Sequence, residues 1–125
     1  MKFKNEIKEK IKKSIIKNIF LRRAVFNFTS KYPKVFVYHR FSLNEKENEL
    51  IIDKECFGWQ LDRMMEYGKI MTLSSCLDYY YENETWPVGA IVITVDDGYQ
   101  DFFLYAYPEL KKRGLAATFF PTVNF

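Results

Sequence analysis

The sequence predicts an α/β domain built on parallel strands and preceded by a basic amphipathic helix, and three observations predict it. Short apolar runs recur at residues 35–38, 91–95 and 116–120, with helix-patterned stretches between them. Strands alternating with helices are the pattern of βαβ units, whose parallel sheet carries its helices outside. The run Ile91-Val92-Ile93-Thr94-Val95 is apolar almost throughout, as strands buried on both faces are. Residues 1–31, by contrast, carry ten Lys/Arg against Glu6 and Glu9, a local balance of +8 within a net charge of +3.

A chain of 125 residues has room for one small domain. Its 48% hydrophobic and 18% aromatic content supplies a core and argues against disorder. Beyond residue 31 the balance reverses, with nine Lys/Arg against fourteen acids. The basicity therefore belongs to the N-terminal segment, and no nucleic-acid partner is expected for the whole chain. No stretch reaches the ~18 uncharged apolar residues of a transmembrane helix. Lys17, Arg22 and Arg23 interrupt the apolar pairs and triplets around them, so no signal peptide is expected either. These readings leave a cytoplasmic or membrane-surface location. Cys56 and Cys76 lack zinc-site spacing and read as buried free thiols.

The elements follow in order. Phe3, Ile7, Ile11, Ile15 and Ile19 recur every four residues, with lysines filling much of the remaining circumference. That pattern predicts an amphipathic helix of roughly five turns within a helical segment spanning 1–31. Its stripe suits an in-plane anchor on an anionic membrane surface, acting through residues 1–23. It equally suits packing on its own domain or on a partner protein. Residues 26–33 read as the connection, with Pro33 favouring an extended approach to the next element.

Val35-Phe36-Val37-Tyr38 is a first strand, with His39 and Arg40 at its end, and residues 44–48 form a polar loop. Phe57, Leu61, Met64 and Met65 mark one face of a helix over 57–67, with Gly68 in the capping position. A short strand over 69–73 follows. Ser74 or Ser75 can then cap a helix running through residues 77–81. A turn at Trp86-Pro87-Val88-Gly89 feeds the strand over 90–95. Beyond Gly98 a helix is expected over 100–113, turning Phe102, Phe103, Ala106 and Leu110 inward, with a kink or late start at Pro108. Gly114 closes it, and residues 116–120 make the next strand.

The chemistry concentrates at Asp96-Asp97-Gly98, where two carboxylates arrive as the apolar strand must stop. Ligands and catalytic groups collect at the carboxyl ends of strands in α/β folds. Adjacent like charges there repel unless a cation or a shared proton offsets them. Successive strand side chains point to opposite faces, so the two acids converge only if the chain turns, and Gly98 permits that turn.

Three segments in this order resemble the polysaccharide deacetylase family, the NodB-homology carbohydrate esterases. They are Val37-Tyr38-His39-Arg40-Phe41, Thr94-Val95-Asp96-Asp97-Gly98-Tyr99 and the stretch from Lys112 to Phe120. Val95 stands where the family motif usually has Phe. The similarity spans about residues 34–125, so a partial deacetylase domain is expected to follow the 1–31 segment. It implies the N-terminal portion of a distorted β/α barrel and metal-dependent removal of acetyl groups from an N-acetylated polysaccharide.

By position, Asp96 matches the general base and Asp97 the ligand of a divalent metal, zinc by expectation. The pairing has a chemical reason. An amide carbonyl is a poor electrophile, so a metal must polarise it and acidify the attacking water, whose proton the neighbouring carboxylate accepts. His39, the chain's single histidine, reads either as a pocket residue or as a hydrogen-bonded, half-buried one. Arg40 and Tyr99 are candidate substrate-pocket residues at the mouth of the site. The family's two metal histidines lie downstream of its matching strand, and no histidine follows residue 39 here. The ligand set is therefore incomplete, which predicts a truncated domain inactive alone. The alternatives are a split-enzyme subunit and a non-catalytic half-barrel interaction module.

Overall fold

The computed structural model describes residues 18–43 and 50–123, together with Glu6, Lys10 and Lys13. Most of the expected N-terminal amphipathic helix, and the polar loop at 44–48, lie outside the described residues. A helix α1, Ile19–Phe28, opens the continuous part, capped by Asn18, whose side chain accepts from the Phe20 and Leu21 amides. It is helical through Phe26, Asn27 and Phe28, residues read above as connection. The cause is tertiary: Phe26 packs partly buried against the core and meets Tyr67 with ring centroids 5.5 Å apart.

Strand β1, Lys34–Tyr38, leads to two three-residue strands, β2, Arg40–Ser42, and β3, Ile51–Asp53. Asp53 then caps helix α2, Lys54–Tyr67, by accepting from the Cys56 amide. The cap places the start three residues earlier than the apolar periodicity did. Phe57, Gly58, Leu61 and Met64 form the buried face, while Met65 is exposed. Met65 lies one position past Met64, about 100° further round the helix and off the stripe.

Gly68 ends α2 with an extended backbone instead of the left-handed cap expected of it. Glycine is required there by proximity, since a Cβ would fall 2.2 Å from the Gly89 carbonyl oxygen. Strand β4, Lys69–Met71, follows, and helix α3, Leu73–Asn83, is capped by Thr72, not by Ser74 or Ser75. The Thr72 hydroxyl accepts from the Ser75 amide, so Ser75 supplies the third amide of the helix.

The central strand β5, Ala90–Asp97, is buried from Ala90 to Val95. A π-helical turn, Phe102–Ala106, runs without a break into helix α4, Tyr107–Lys112, so Pro108, which has no amide to donate, stands inside a continuous helical stretch. The wider turn delays the inward phase. Ala106 and Leu110 are buried as expected, but Tyr105 packs against the core while Phe103 is exposed and stacks on Tyr107. Strand β6, Thr118–Pro121, completes the described elements.

All strand pairings are parallel. β1 runs along one edge of β5, from Lys34 opposite Ile91 to Tyr38 opposite Val95. β4 and β6 share the other edge, β4 beside Ala90 to Val92 and β6 beside Thr94 to Asp97. Their junction is closed by the Leu73 amide donating to the Thr118 hydroxyl at 2.9 Å. β2 and β3 form a separate parallel pair.

β5 alternates between two cores. Ile91, Ile93 and Val95 face Phe57, Leu61, Ala106 and Leu110, whereas Ala90 and Val92 face Cys76. A fully buried side chain such as Leu61 contributes about 1.5–3 kcal/mol relative to exposure, so this sandwiching makes β5 the fixed element of the fold. Both cysteines are free. Cys76 is buried, which raises its thiol pKa, and Cys56 is half-buried.

Candidate functional site

Because the sheet is parallel, the ends of β1, β5 and β6 gather at one side. Register carries Tyr38 to Val95 and Asp97 to Pro121, so His39, Asp96-Asp97 and Thr122 follow at the same end. Asp96 continues the alternation of Val92 and Thr94. Asp97 breaks it: its φ of 72° lies in the left-handed region, and Gly98 follows at 78°. The turn therefore begins one residue earlier than expected. Gly98 meets a second constraint, because a Cβ there would sit 3.0 Å from the Pro121 Cα. The Thr122 amide also approaches the Asp97 carbonyl at 3.4 Å. Both carboxylate residues are half-buried.

A non-glycine residue at positive φ costs roughly 1–3 kcal/mol and persists only where its surroundings hold it. The segment just beyond is held by Arg40. Arg40 Nε donates to Asp101 Oδ2 at 2.6 Å, and the guanidinium carbon lies 4.2 Å from the Tyr99 ring centroid. One side chain from β2 thus grips the segment after Gly98 at two points, by a charge-assisted hydrogen bond and a cation–π contact. Asp101 was not foreseen from the sequence. Its partner is 61 positions away, and its own local signal is only an acid near a helix start. Its Oδ1 is buried without a hydrogen-bond partner.

Arg40, Tyr99 and Asp101 line a cavity of about 640 Å³ together with Phe41, Ile51 and Leu104, and neither Asp96 nor Asp97 is on its wall. Arg40 and Tyr99 are thereby brought together, beside the acid pair in sequence but facing a different space. His39 goes elsewhere. It lines a cavity of about 210 Å³ with Val37, Tyr38, Ile52 and Gln60. There the Tyr38 hydroxyl donates to Gln60 Oε1 at 2.6 Å, and burial, then the charge of Cys56, push the phenol pKa up to about 12.

The five residues predicted from sequence thus divide among a strand-end acid pair, a pinning contact and a small side cavity. Among the described residues, no group of three or more His, Cys, Asp or Glu comes together to hold a metal ion. Zinc sites take three or four protein ligands, so the residues present do not make a complete metal site.

No family model matches the chain, and no curated protein matches it. Solved structures do match. IcaB from Ammonifex degensii is 29% identical with a TM-score of 0.61, over 71% of this chain and 37% of that one. The Streptococcus pyogenes deacetylase PplD, determined with acetate, is 29% identical with a TM-score of 0.57, over 69% and 40%. A de-N-acetylase from Aggregatibacter actinomycetemcomitans shares the fold at 23% identity and a TM-score of 0.56, over 71% and 37%. The chain thus spans well under half the length of the structures it matches. The resemblance to the polysaccharide deacetylase family read from its motifs is present in its fold as a partial match.

Proposed function

We propose that this chain carries the acid half of a metal-dependent polysaccharide deacetylase site, with Asp96 as general base and Asp97 as a ligand of a divalent metal, zinc. The observation that supports this most is the conformation of Asp97. A left-handed aspartate at the end of the best-buried strand, beside a second carboxylate, is stored strain of the kind found at functional sites. The 29% identity to the deacetylase PplD supports deacetylation as the reaction class, and the motif resemblance supplies an N-acetylated polysaccharide as the substrate class.

Among the described residues the donor set is incomplete, which limits what they do by themselves. Alone, the chain is expected to release no acetate from N-acetylglucosamine oligomers. A second reading rests on the same deficit: a non-catalytic half-barrel interaction module, or a subunit of a split enzyme. Arg40, Tyr99 and His39 shape the surroundings in either case.

The test is a graft. Residues 34–125 replace the matching part of the S. pyogenes deacetylase PplD, and acetate release is measured with and without zinc. Circular dichroism establishes that each graft is folded. A folded graft should be active, and Asp96→Asn should lower turnover by roughly 10²–10⁴-fold while zinc binding persists. Asp97→Asn should lower zinc affinity. A folded, active graft indifferent to both substitutions overturns the assignment, and a folded but inactive graft favours the interaction module.

A further inference from the structure

Between α1, β1 and α2 lies a groove of about 380 Å³, and each of its three walls carries one cation. α1 contributes Arg22 with Phe26, β1 contributes Lys34 with Phe36, and α2 contributes Arg63 between Trp59 and Tyr67. Period explains the pairing, since residues four apart share a helix face and residues two apart share a strand face. The buried side chains of Ile91 and Met64 complete an apolar lining.

The cations are short of counter-charge. Among the described residues no carboxylate lines the groove. Arg63 is paired at 2.9 Å with Glu66, which is not on its wall. Arg22 and Lys34 have no carboxylate partner among the described residues. Lys34 Nζ donates instead to the Thr29 carbonyl at 3.0 Å and sits 4.2 Å from the Phe26 ring centroid. The Nε atoms of Arg22 and Arg63 are buried without an acceptor. Cations gathered on an apolar bed repel one another and lose hydration, and an anion among them relieves both costs.

The lining also restricts what that anion carries. The remaining polar groups on the wall are the Tyr67 hydroxyl and Gln60, whose amide oxygen already accepts from Tyr38 at 2.6 Å. A polyhydroxylated ligand would leave its hydroxyls unpaired there. Trp59 is 59% and Phe36 40% exposed, so aromatic surface is left for an apolar body to cover. Residues 1–17 carry seven lysines against Glu6 and Glu9, the wrong charge to fill the groove.

We infer that this groove binds a single-chain amphiphile with one anionic head, carboxylate or phosphate, received by Arg22, Lys34 and Arg63, with its chain lying along Phe36 and Trp59. Guanidinium forks suit both heads, and the groove is of the size that takes small ligands. It flanks the start of β1, whereas Asp96 and Asp97 stand at the far end of the sheet, so the inference does not rest on the deacetylase reading.

The test is calorimetric titration of the full chain with decanoate, decyl phosphate and decanol, each below its micelle concentration. Saturable binding of either anion at one site, with decanol at least roughly tenfold weaker, is the expected result, and the tighter anion names the head group. Arg22→Gln/Arg63→Gln should weaken the anions at least roughly tenfold and leave decanol unchanged, with circular dichroism establishing that the variant is folded. Absence of saturable anion binding, decanol as tight as the anions, or a folded double variant that binds them as the parent does overturns the inference. So does a dimer in solution that the double variant dissociates, because a second copy would then occupy the groove. The comparison of anions with decanol on the parent decides even if the variant does not fold.

Discussion

Replacing Asp97 by glycine should stabilise the fold. Asp97 stands at φ 72°, where an L-residue's Cβ crowds the following carbonyl. That conformation costs about 1–2 kcal/mol, with Asp and Asn at the lower end because their short polar side chains tolerate it. Glycine removes the cost, but its freer unfolded chain gives back about 0.4–1 kcal/mol. With Asp near the lower end, about 1 kcal/mol, the balance is a net gain of up to about 0.6 kcal/mol for Asp97→Gly. Asp97→Ala keeps the Cβ and loses the polar side chain, so it should lose about as much as Gly gains. Guanidinium unfolding followed by circular dichroism reads both, as shifts in midpoint at constant slope. A glycine variant that unfolds at lower denaturant than the parent, or an alanine variant as stable as glycine, would refute the claim that Asp97 is strained. Stabilisation by removing a proposed metal ligand is the trade expected where a site is held at the fold's expense.

Gly68→Ala should go the other way, because the new Cβ meets the Gly89 backbone oxygen at 2.2 Å and neither chain segment can yield cheaply. A loss of roughly 1–3 kcal/mol in the same unfolding assay is expected, and an unshifted midpoint would show that the contact relaxes freely. Tyr38 provides a pH signature. Its phenol titrates at about 12 in the folded state against an ordinary 10, so its contribution is complete below pH 10 and lost as pH rises through about 12. Tyr38→Phe should delete one late-titrating phenol from the ultraviolet absorbance titration. It should also cost about 1 kcal/mol at neutral pH through the lost bond to Gln60; titration curves that superimpose would contradict this.

What was legible in the sequence was what local pattern encodes. β5 announced itself because a strand buried on both faces is apolar at every position, and α2 because Phe57, Leu61 and Met64 keep helical period. β2 and β3 were missed because Arg-Phe-Ser and Ile-Ile-Asp are too short to show a period and lack a glycine stop before them such as Gly68 gives the equally short β4. Phe103 was turned inward in the reading because a regular helix was assumed, and the π-helical turn shifts the phase so that Tyr105 takes the place. Asp96 and Asp97 were plain from their position, but the turn was assigned to Gly98 alone, whereas Asp97 already stands at positive φ. The contact that holds the segment after them, Arg40 with Asp101, joins residues 61 positions apart and has no sequence signature. His39 was placed at the right strand end, yet its surroundings are those of the Tyr38–Gln60 cavity, which depends on how α2 packs.

The two readings of the acid pair differ in what they require of the backbone. An interaction module needs an exposed surface and has no use for an aspartate held left-handed at the end of the least exposed strand. A metal-hydrolase site does, because a general base and a ligand must be fixed to within about half an ångström before the remaining ligands arrive. The described residues supply that fixing: β5 is paired along both edges and covered on both faces, and Arg40 holds the Tyr99–Asp101 segment from outside. On the function proposed above, residues that complete the donor set would meet a preformed half-site. If that is the role of the grip, Arg40→Met should leave the core intact and loosen the acid pair. In an active graft, its effect would then fall on turnover more than on folding.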